Sequence, residues 1–343
     1  MSRPSTTTNP AAALDERMQA LEDAADAAML APSVHGSQPW TIVLHRDRLE
    51  LRGDPERQLR TLDPSGRELV QSLGAALFNV RVALAARGWA VEVDRLPDPA
   101  APDLAAVVRP VPGAPEPGLP RLAAVVPQRR TNRRGFLAEE VPDELLTYLE
   151  AAAAAEDADL VPVRSAAHRR LVARLTREAD VVQAEDPSCR ADRTRWRPPP
   201  PDAPAGRSTV DSDSGADRTF VVLATRTDDP RAWLRSGEAL QRVLLELSRL
   251  GWTASPISQV LEVPVTRADL RARLTWERHP QMLLRVGFAD ASPRAARRPR
   301  RDVVRNSARP PEALPPPGAA PRLDRGHPAP RPVSDGRGGT TWT

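Results

Sequence analysis

The sequence predicts an α+β fold with strands of mixed direction, on three observations. Two long apolar helical segments, Arg67 to Arg87 and Asp229 to Leu250, alternate along the chain with shorter helices and short β-rich runs. The segments share residues at a constant offset of 163: Gly74, Ala76, Leu77, Val80, Leu84, Gly88 and Trp89 match Gly237, Ala239, Leu240, Val243, Leu247, Gly251 and Trp252. Within each set the Leu, Val and Leu positions lie on one helical face, and the Gly-Trp pair supplies a left-handed stop. Two similar halves in one chain imply a pseudo-two-fold core with the long helices packed together.

Taken in order, Leu14 to Met29 has helical spacing, with Asp15 and Glu16 favouring a helix start. Thr41–His45 and Arg48–Arg52 alternate as strands around a turn. After the first long helix come strands at Val91–Val93 and Ala105–Val108, then helices over Leu119–Val126 and Pro142–Ala155, the latter opened by proline. Asp143-Glu144, Leu149-Glu150 and Ala152-Ala153 weakly echo Asp15-Glu16, Leu21-Glu22 and Ala24-Ala25. Ser165–Gln183 is helical and Phe220–Thr225 a strand; beyond the second long helix lie a short helix at Thr266–Leu274 and a strand at Gln281–Val286. Residues 1–12 and 306–343 read as disordered ends, and 185–217, with the run Pro198–Pro201, as a flexible linker or lid. Its Trp196 is either a packed loop residue or a cover for a pocket. The implied halves are 13–117 and 118–305.

Composition narrows the function classes. One cysteine, Cys189, excludes a disulfide framework and a cysteine-based zinc site. No uninterrupted apolar run approaches the roughly 18 residues of a membrane span, and Met1–Pro10 lacks a secretory core, so a cytoplasmic location without membrane partners is expected. All 49 basic residues are arginine against 45 acidic ones. From Ser292 onward 11 arginines face four acids, leaving the remainder mildly acidic. With only 3% aromatic residues there are few stacking platforms, and a nucleic-acid partner is not expected.

Three segments carry possible chemistry. Ala31-Pro-Ser-Val-His-Gly-Ser-Gln-Pro-Trp40 is a stiff polar loop between a helix and a strand. Arg129-Arg-Thr-Asn-Arg-Arg134 offers four guanidinium groups in six residues, suited either to a phosphate or to a solvated turn. Arg297-Arg-Pro-Arg-Arg301 follows the last strand. There is no G-x-G-x-x-G after a strand, no P-loop in a chain without lysine and no G-x-S-x-G elbow. Ser33 and His35 lack an orienting third group, and the histidines lack metal-ligand spacing. No catalytic side chain and no metal site are assigned; an enzyme of this sequence would lean on a bound cofactor.

In their order these segments resemble the flavin-dependent nitroreductase family, and in particular its Acg-type branch, in which two nitroreductase-like halves are fused. The resemblance spans roughly Ala13 to Val304 and leaves 185–217 unmatched. Arg129, Arg130, Thr131 and Arg133 are similar to the family's R-R-S-x-R segment that holds the FMN phosphate and ribityl chain. Pro32, Ser33, Gly36 and Gln38 lie in a loop resembling A-P-S-x-x-N-x-Q-P-W, which reaches the flavin from the other half. Pro256, Ile257, Ser258 and Gln259 stand where the family's backbone borders the isoalloxazine, and Arg297 and Arg298 resemble its late basic pair. Only one half carries each part, so one flavin site at most is expected per chain. Gly36 replaces the family's Asn, Ser258 and Gln259 replace an acid–glycine pair, and the arginine segment has an extra residue before Phe136.

The resemblance implies FMN as cofactor, NADH or NADPH as hydride donor, ping-pong transfer through flavin N5 and a small nitro- or quinone-like electron acceptor. A monomer is expected, with a homodimer the alternative. The second reading is a flavin-sequestering stress-response protein with little turnover, in which the linker is a lid.

Overall fold

The computed structural model describes residues 10–132, 136–137, 140–196, 219–289, 295–307, 332–334 and 340–342. Helix α1, Pro10–Ala28, precedes the antiparallel pair β1 (Trp40–Leu44) and β2 (Leu49–Gly53). Helix α2, Arg67–Ala86, leads to β3 (Ala90–Arg95) and β4 (Leu104–Val111). The pattern then recurs. Helix α3 (Asp143–Ala154) leads into β5 (Asp159–Pro162) and β6 (Thr219–Thr225); helix α6 (Pro230–Arg249) leads into β7 (Thr253–Ile257) and β8 (His279–Gly287).

The first sheet runs β3-β4-β2-β1 and the second β7-β8-β6-β5, with antiparallel neighbours throughout. Matched by chain order, these are the same topology. The exception is β9, Val304–Asn306, which crosses from the second half and pairs in parallel with β1 on the first sheet. Strands of mixed direction are thus present, but the single parallel pairing among the named strands comes from that crossing.

The long helices stop as their sequences require. Gly88 and Gly251 take left-handed backbones at φ 83° and 81°. The N–H of Trp89 then donates to the Leu84 carbonyl at 3.1 Å, and that of Trp252 to the Leu247 carbonyl at 2.9 Å. This closing turn needs a residue free of a Cβ penalty. At its start, α6 is capped by Asp229, whose carboxylate accepts from the Ala232 N–H at 2.9 Å, with Pro230 in the first turn.

Helices α2 and α6 cross at two glycines. A Cβ on Gly74 would lie 2.0 Å from the Leu234 carbonyl oxygen, and one on Gly237 would lie 2.0 Å from that of Gln71. Gln71 and Leu234 are themselves 163 positions apart, as Gly74 and Gly237 are. The contact therefore exchanges partners like an isologous interface. By length and composition α2 could span a membrane, but 78% of its apolar window is buried inside the fold.

Polar side chains fill the seam between these helices. Arg81 bonds Glu238 and Glu156 at 2.6 Å each and Glu116 at 2.7 Å. Arg95 meets Glu238 at 2.7 Å, and Arg242 meets Glu156 and Glu116 at 3.0 and 2.8 Å. Burial pushes the Glu238 carboxyl up, but Arg95, Arg81 and Arg235 bring it below its ordinary value. Glu156, one residue beyond the Ala155 that ends α3, occupies the place where the first half carries its polar loop.

Several elements differ from expectation. Helix α1 begins at Pro10, so Asp15 and Glu16 lie beyond its first turn. The Leu119–Val126 segment is 3-10 helical, Pro120–Val125, and stops before Pro127, which has no N–H to continue it. Strands β5 and β7 escaped notice. Each is a sheet edge carrying a proline, Pro162 and Pro256, a residue that weakens a strand signal in sequence and is readily accommodated at an edge. Thr266–Leu274 divides into α8, Pro264–Leu270, and a π-helical turn, Arg271–Thr275.

The expected linker is ordered at its start. Helix α4, Ala166–Glu185, is followed at once by α5, Pro187–Trp196, while 197–218 lies outside the described residues. Cys189 and Trp196 join Leu59, Leu62 and Val34 in one apolar cluster, which gives α5 a reason to dock. The tail begins later than 306, since β9 reaches Asn306 and the Ser307 N–H donates to Leu44. A separate unit, Pro310–Thr343, holds an antiparallel pair, β10 (Pro332–Ser334) and β11 (Thr340–Trp342).

Candidate functional site

The polar loop begins where α1 ends. Val34–Gly36 forms one 3-10 turn, and the strain of the bend falls on left-handed backbones at His35 (φ 47°), Gly36 (φ 75°) and Gln38 (φ 47°). The Ser33 hydroxyl accepts from the Gln38 N–H at 2.9 Å, and the Val34 N–H donates to Ser72 on α2 at 3.1 Å. Pro32, Ser33 and Gly36 are half-buried; Gln38 is buried.

Both arginine segments converge on the carbonyl of Leu30, just before this loop. Arg129 Nη2 donates to it at 3.4 Å and Arg297 Nη2 at 3.1 Å. Arg129 also reaches the Thr131 hydroxyl at 3.3 Å, and its buried Nε has no partner among the described residues. No carboxylate is bonded to Arg129 or Arg297 among the described residues. Burial, together with the charges of Arg297 and Arg130, pushes the Arg129 guanidinium down to about 9. Burial and Arg130 lower that of Arg297 as well. Arg130 turns its Nη1 to the Pro127 and Arg129 carbonyls, both at 2.8 Å. A buried arginine beside a half-buried one, neither bonded to a carboxylate among the described residues, has the charge and the donors to hold an anion.

Strand β7 brings the remaining segment to the same place. Thr131 forms a parallel bridge with Ala254, and the N–H of the buried Asn132 donates to the Ala254 carbonyl at 3.1 Å. The strand then delivers Pro256 and Ile257, with Ser258 and Gln259 opening helix α7, Gln259–Glu262. His35 in the loop closes the circuit, its Nε2 lying 3.1 Å from Glu262 Oε1. Burial pushes the Glu262 carboxyl up, but His35, Ser258 and Gln183 hydrogen-bond it and hold it below the usual range. Nearby Glu68 is driven well above its ordinary value by burial and by Glu262.

Of the residues expected at the site, the loop, Arg129, Thr131, Arg297 and the β7–α7 junction come together. Arg133 lies outside the described residues. Arg298 is in the right place but its donors are committed: Nη1 bonds the carbonyls of Gln38 and Trp40 at 3.0 and 3.1 Å, and Nη2 that of Asp302 at 2.9 Å. The Gln38 side chain likewise faces the basic segment, accepting from the Arg298 N–H at 2.9 Å and donating to Ala296 at 3.3 Å. This pair fastens the late basic segment to the loop. Sequence reasoning missed Glu262, Gln183 and Glu68, because nothing local marks a carboxylate whose partner is 227 positions away.

A Cβ on Gly36 would meet none of the described residues within 4 Å, at the position where the resembling motif carries Asn.

No family model matches the chain. A Mycobacterium tuberculosis protein named "Putative NAD(P)H nitroreductase Rv3131" is 36% identical over 315 residues, covering 81% of this chain and 88% of its own. The chain belongs to the nitroreductase family. A second nitroreductase relative from M. tuberculosis, named "Putative NAD(P)H nitroreductase acg", is 29% identical over 310 residues, 81% of this chain and 93% of its own. A solved nitroreductase with bound FMN from Bacteroides fragilis superposes on 51% of this chain and 92% of its own at 16% identity, with a TM-score of 0.38, a likeness too loose to bear on the site. The α+β arrangement described above is, by membership, a nitroreductase-like fold.

Proposed function

We propose that this chain is an FMN-dependent NAD(P)H oxidoreductase of nitroreductase type, with one flavin site in the seam between two fused halves. The observation that carries the reading is the meeting of Arg129 and Arg297 at the Leu30 carbonyl beside the polar loop, neither bonded to a carboxylate among the described residues, with a buried Arg129 Nε that has no partner among them. FMN supplies a phosphate for those guanidinium groups and a flat ring for the space outside Gly36. The residues present fit it. The repeated strand order and the exchanged glycine contacts support the fusion, with boundaries near 13–117 and 118–305 and β9 reaching back. Relatives named for NAD(P)H nitroreduction support the activity.

When bound, FMN provides hydride acceptance from NADH or NADPH at N5 and two-electron delivery to a nitro- or quinone-like acceptor in a second half-reaction. The chain supplies position and charge. Arg129 and Arg297 would neutralise the phosphate, with Arg133 assigned to the same task by its place in the motif, and Thr131 and Ser33 would hold the ribityl chain. Backbone at Pro256–Gln259 would hold the ring. Arg298 and Gln38 position the basic segment. No side chain is required as general acid or base, and no metal is invoked.

Purification with FMN followed by anaerobic stopped-flow addition of NADH or NADPH tests the reading. Bleaching of the flavin band within seconds supports it; no affinity for FMN refutes it. A second reading, flavin sequestration under stress, is favoured by one observation: α5 packs Cys189 and Trp196 with Val34 of the loop. Under that reading FMN binds but stays oxidised.

A further inference from the structure

A cavity of about 600 Å³ opens between the start of α2 and the insertion that carries α7 and α8. Its volume lies within the range of small-ligand sites, ~300–1,000 Å³. Three features of its rim stand apart from the flavin reading, and the inference does not rest on that reading.

Trp276 lines the cavity yet is 74% exposed, among the large apolar side chains with most surface in water. Its backbone sits at φ 53° and ψ −107°, a costly conformation for a bulky residue. That conformation is imposed by a π-helical turn, closed by the Trp276 N–H on the Arg271 carbonyl at 2.7 Å. Such turns are rare and concentrate at functional sites.

The charges around the cavity are unequal in their freedom. Asp228 accepts from Arg267 through both oxygens at 2.9 Å, and from Trp233 and Gln281 at 2.7 and 3.1 Å, so it is saturated. Glu262 is fully enclosed and bonded to His35 and Gln183. Asp63 accepts from the Leu69 N–H at 2.8 Å, and burial pushes its carboxyl up. Arg67 is bonded to Glu68 and to the Gln281 carbonyl. The exposed guanidinium of Arg271, by contrast, has no hydrogen bond or ion pair among the described residues, and it stands close enough to His279 to disfavour that ring's charge. The wall between is apolar, with Leu261, Pro264 and Ala268.

We infer that this cavity binds a small planar aromatic anion, its ring against the Trp276 indole and its carboxylate on Arg271. A flat apolar slot explains why an indole is held in water at the expense of backbone strain. An uncommitted cation beside saturated acids explains the sign of the ligand's charge.

The probe is 2-naphthoate, followed by calorimetric titration of the full chain, with 2-naphthol and cyclohexanecarboxylate as the neutral and non-aromatic controls. The expected result is saturable binding of 2-naphthoate and binding at least ~10-fold weaker for either control. Arg271→Gln should weaken 2-naphthoate about 10-fold. Trp276→Gly should weaken it severalfold while raising the melting temperature, because glycine relieves the backbone strain; Trp276→Phe should retain affinity. Arg129→Met should leave 2-naphthoate binding unchanged. If Arg129→Met abolishes binding and Arg271→Gln does not, the anion sits on the arginine cluster and the proposal is overturned. Equal binding of all three probes, or none, overturns it too. Loss of FMN binding has no bearing on any of these outcomes.

Discussion

Arg129 shows at a single residue how function sets against stability. Its guanidinium is buried beside the charges of Arg297 and Arg130 and bonds no carboxylate among the described residues, which opposes folding of the FMN-free protein. The opposition is fully present below the folded value of about 9, and it fades at higher pH as the native state releases a proton that the unfolded chain keeps. Arg129→Met should therefore raise the melting temperature of the FMN-free protein at pH 7, and weaken FMN by about 10- to 100-fold, from the ~1.5–3 kcal/mol of a charge-assisted bond. Differential scanning fluorimetry and a flavin-fluorescence titration read both. Gly36 tests the opposite face. Its φ of 75° is tolerable to Asn and the space beyond is open, so Gly36→Asn should tighten FMN by about 2- to 10-fold, one ordinary hydrogen bond.

Among the elements, the crossing of α2 and α6 admits no side chain. With a Cβ only 2.0 Å from backbone oxygen, Gly74→Ala or Gly237→Ala must push the helices apart, and each should cost roughly 3 kcal/mol or more in a urea melt. Because the two sites share one contact, the double variant should cost less than the sum of the singles. The helix faces and their Gly-Trp stops were legible from spacing alone, since 3.6-residue periodicity and a left-handed cap are local properties. Strands β5 and β7 were not. A four- or five-residue edge containing proline earns its conformation from the neighbour to which it bonds, here β6 for the first and β8 for the second.

At the scale of the whole molecule, the two long helices meet through buried ions set beside an apolar cluster in which Phe78, Val82 and Ala85 pack with Leu245. Removing one partner strands the others, so Glu238→Ala should destabilise the chain by about 3–5 kcal/mol. The sign of its pH dependence follows from a folded carboxyl held below its ordinary value. Its contribution is complete above the unfolded carboxylate value, ~4.3, and disappears as pH falls through the depressed folded value. Acid melts of the parent should accordingly steepen below pH 5 relative to Glu238→Gln. The seam also sets stoichiometry: the second half carries Glu156 where the first carries its loop, so titration should saturate at one FMN per chain. Two per chain would sink the asymmetric site.

The matched pattern of the two long helices, their order, the polar loop and the two arginine segments were all decided within the sequence, because each is a local pattern of spacing and residue type. The site's circuit was decided only by tertiary structure. Arg129 and Arg297 share the Leu30 carbonyl, His35 meets Glu262, and Arg298 is diverted to the loop's carbonyls. These partners are set by burial and by competition for donors and acceptors across residues far apart in the chain. A guanidinium looks the same in sequence whether it awaits a phosphate or holds a backbone turn, and packing alone distinguishes the two.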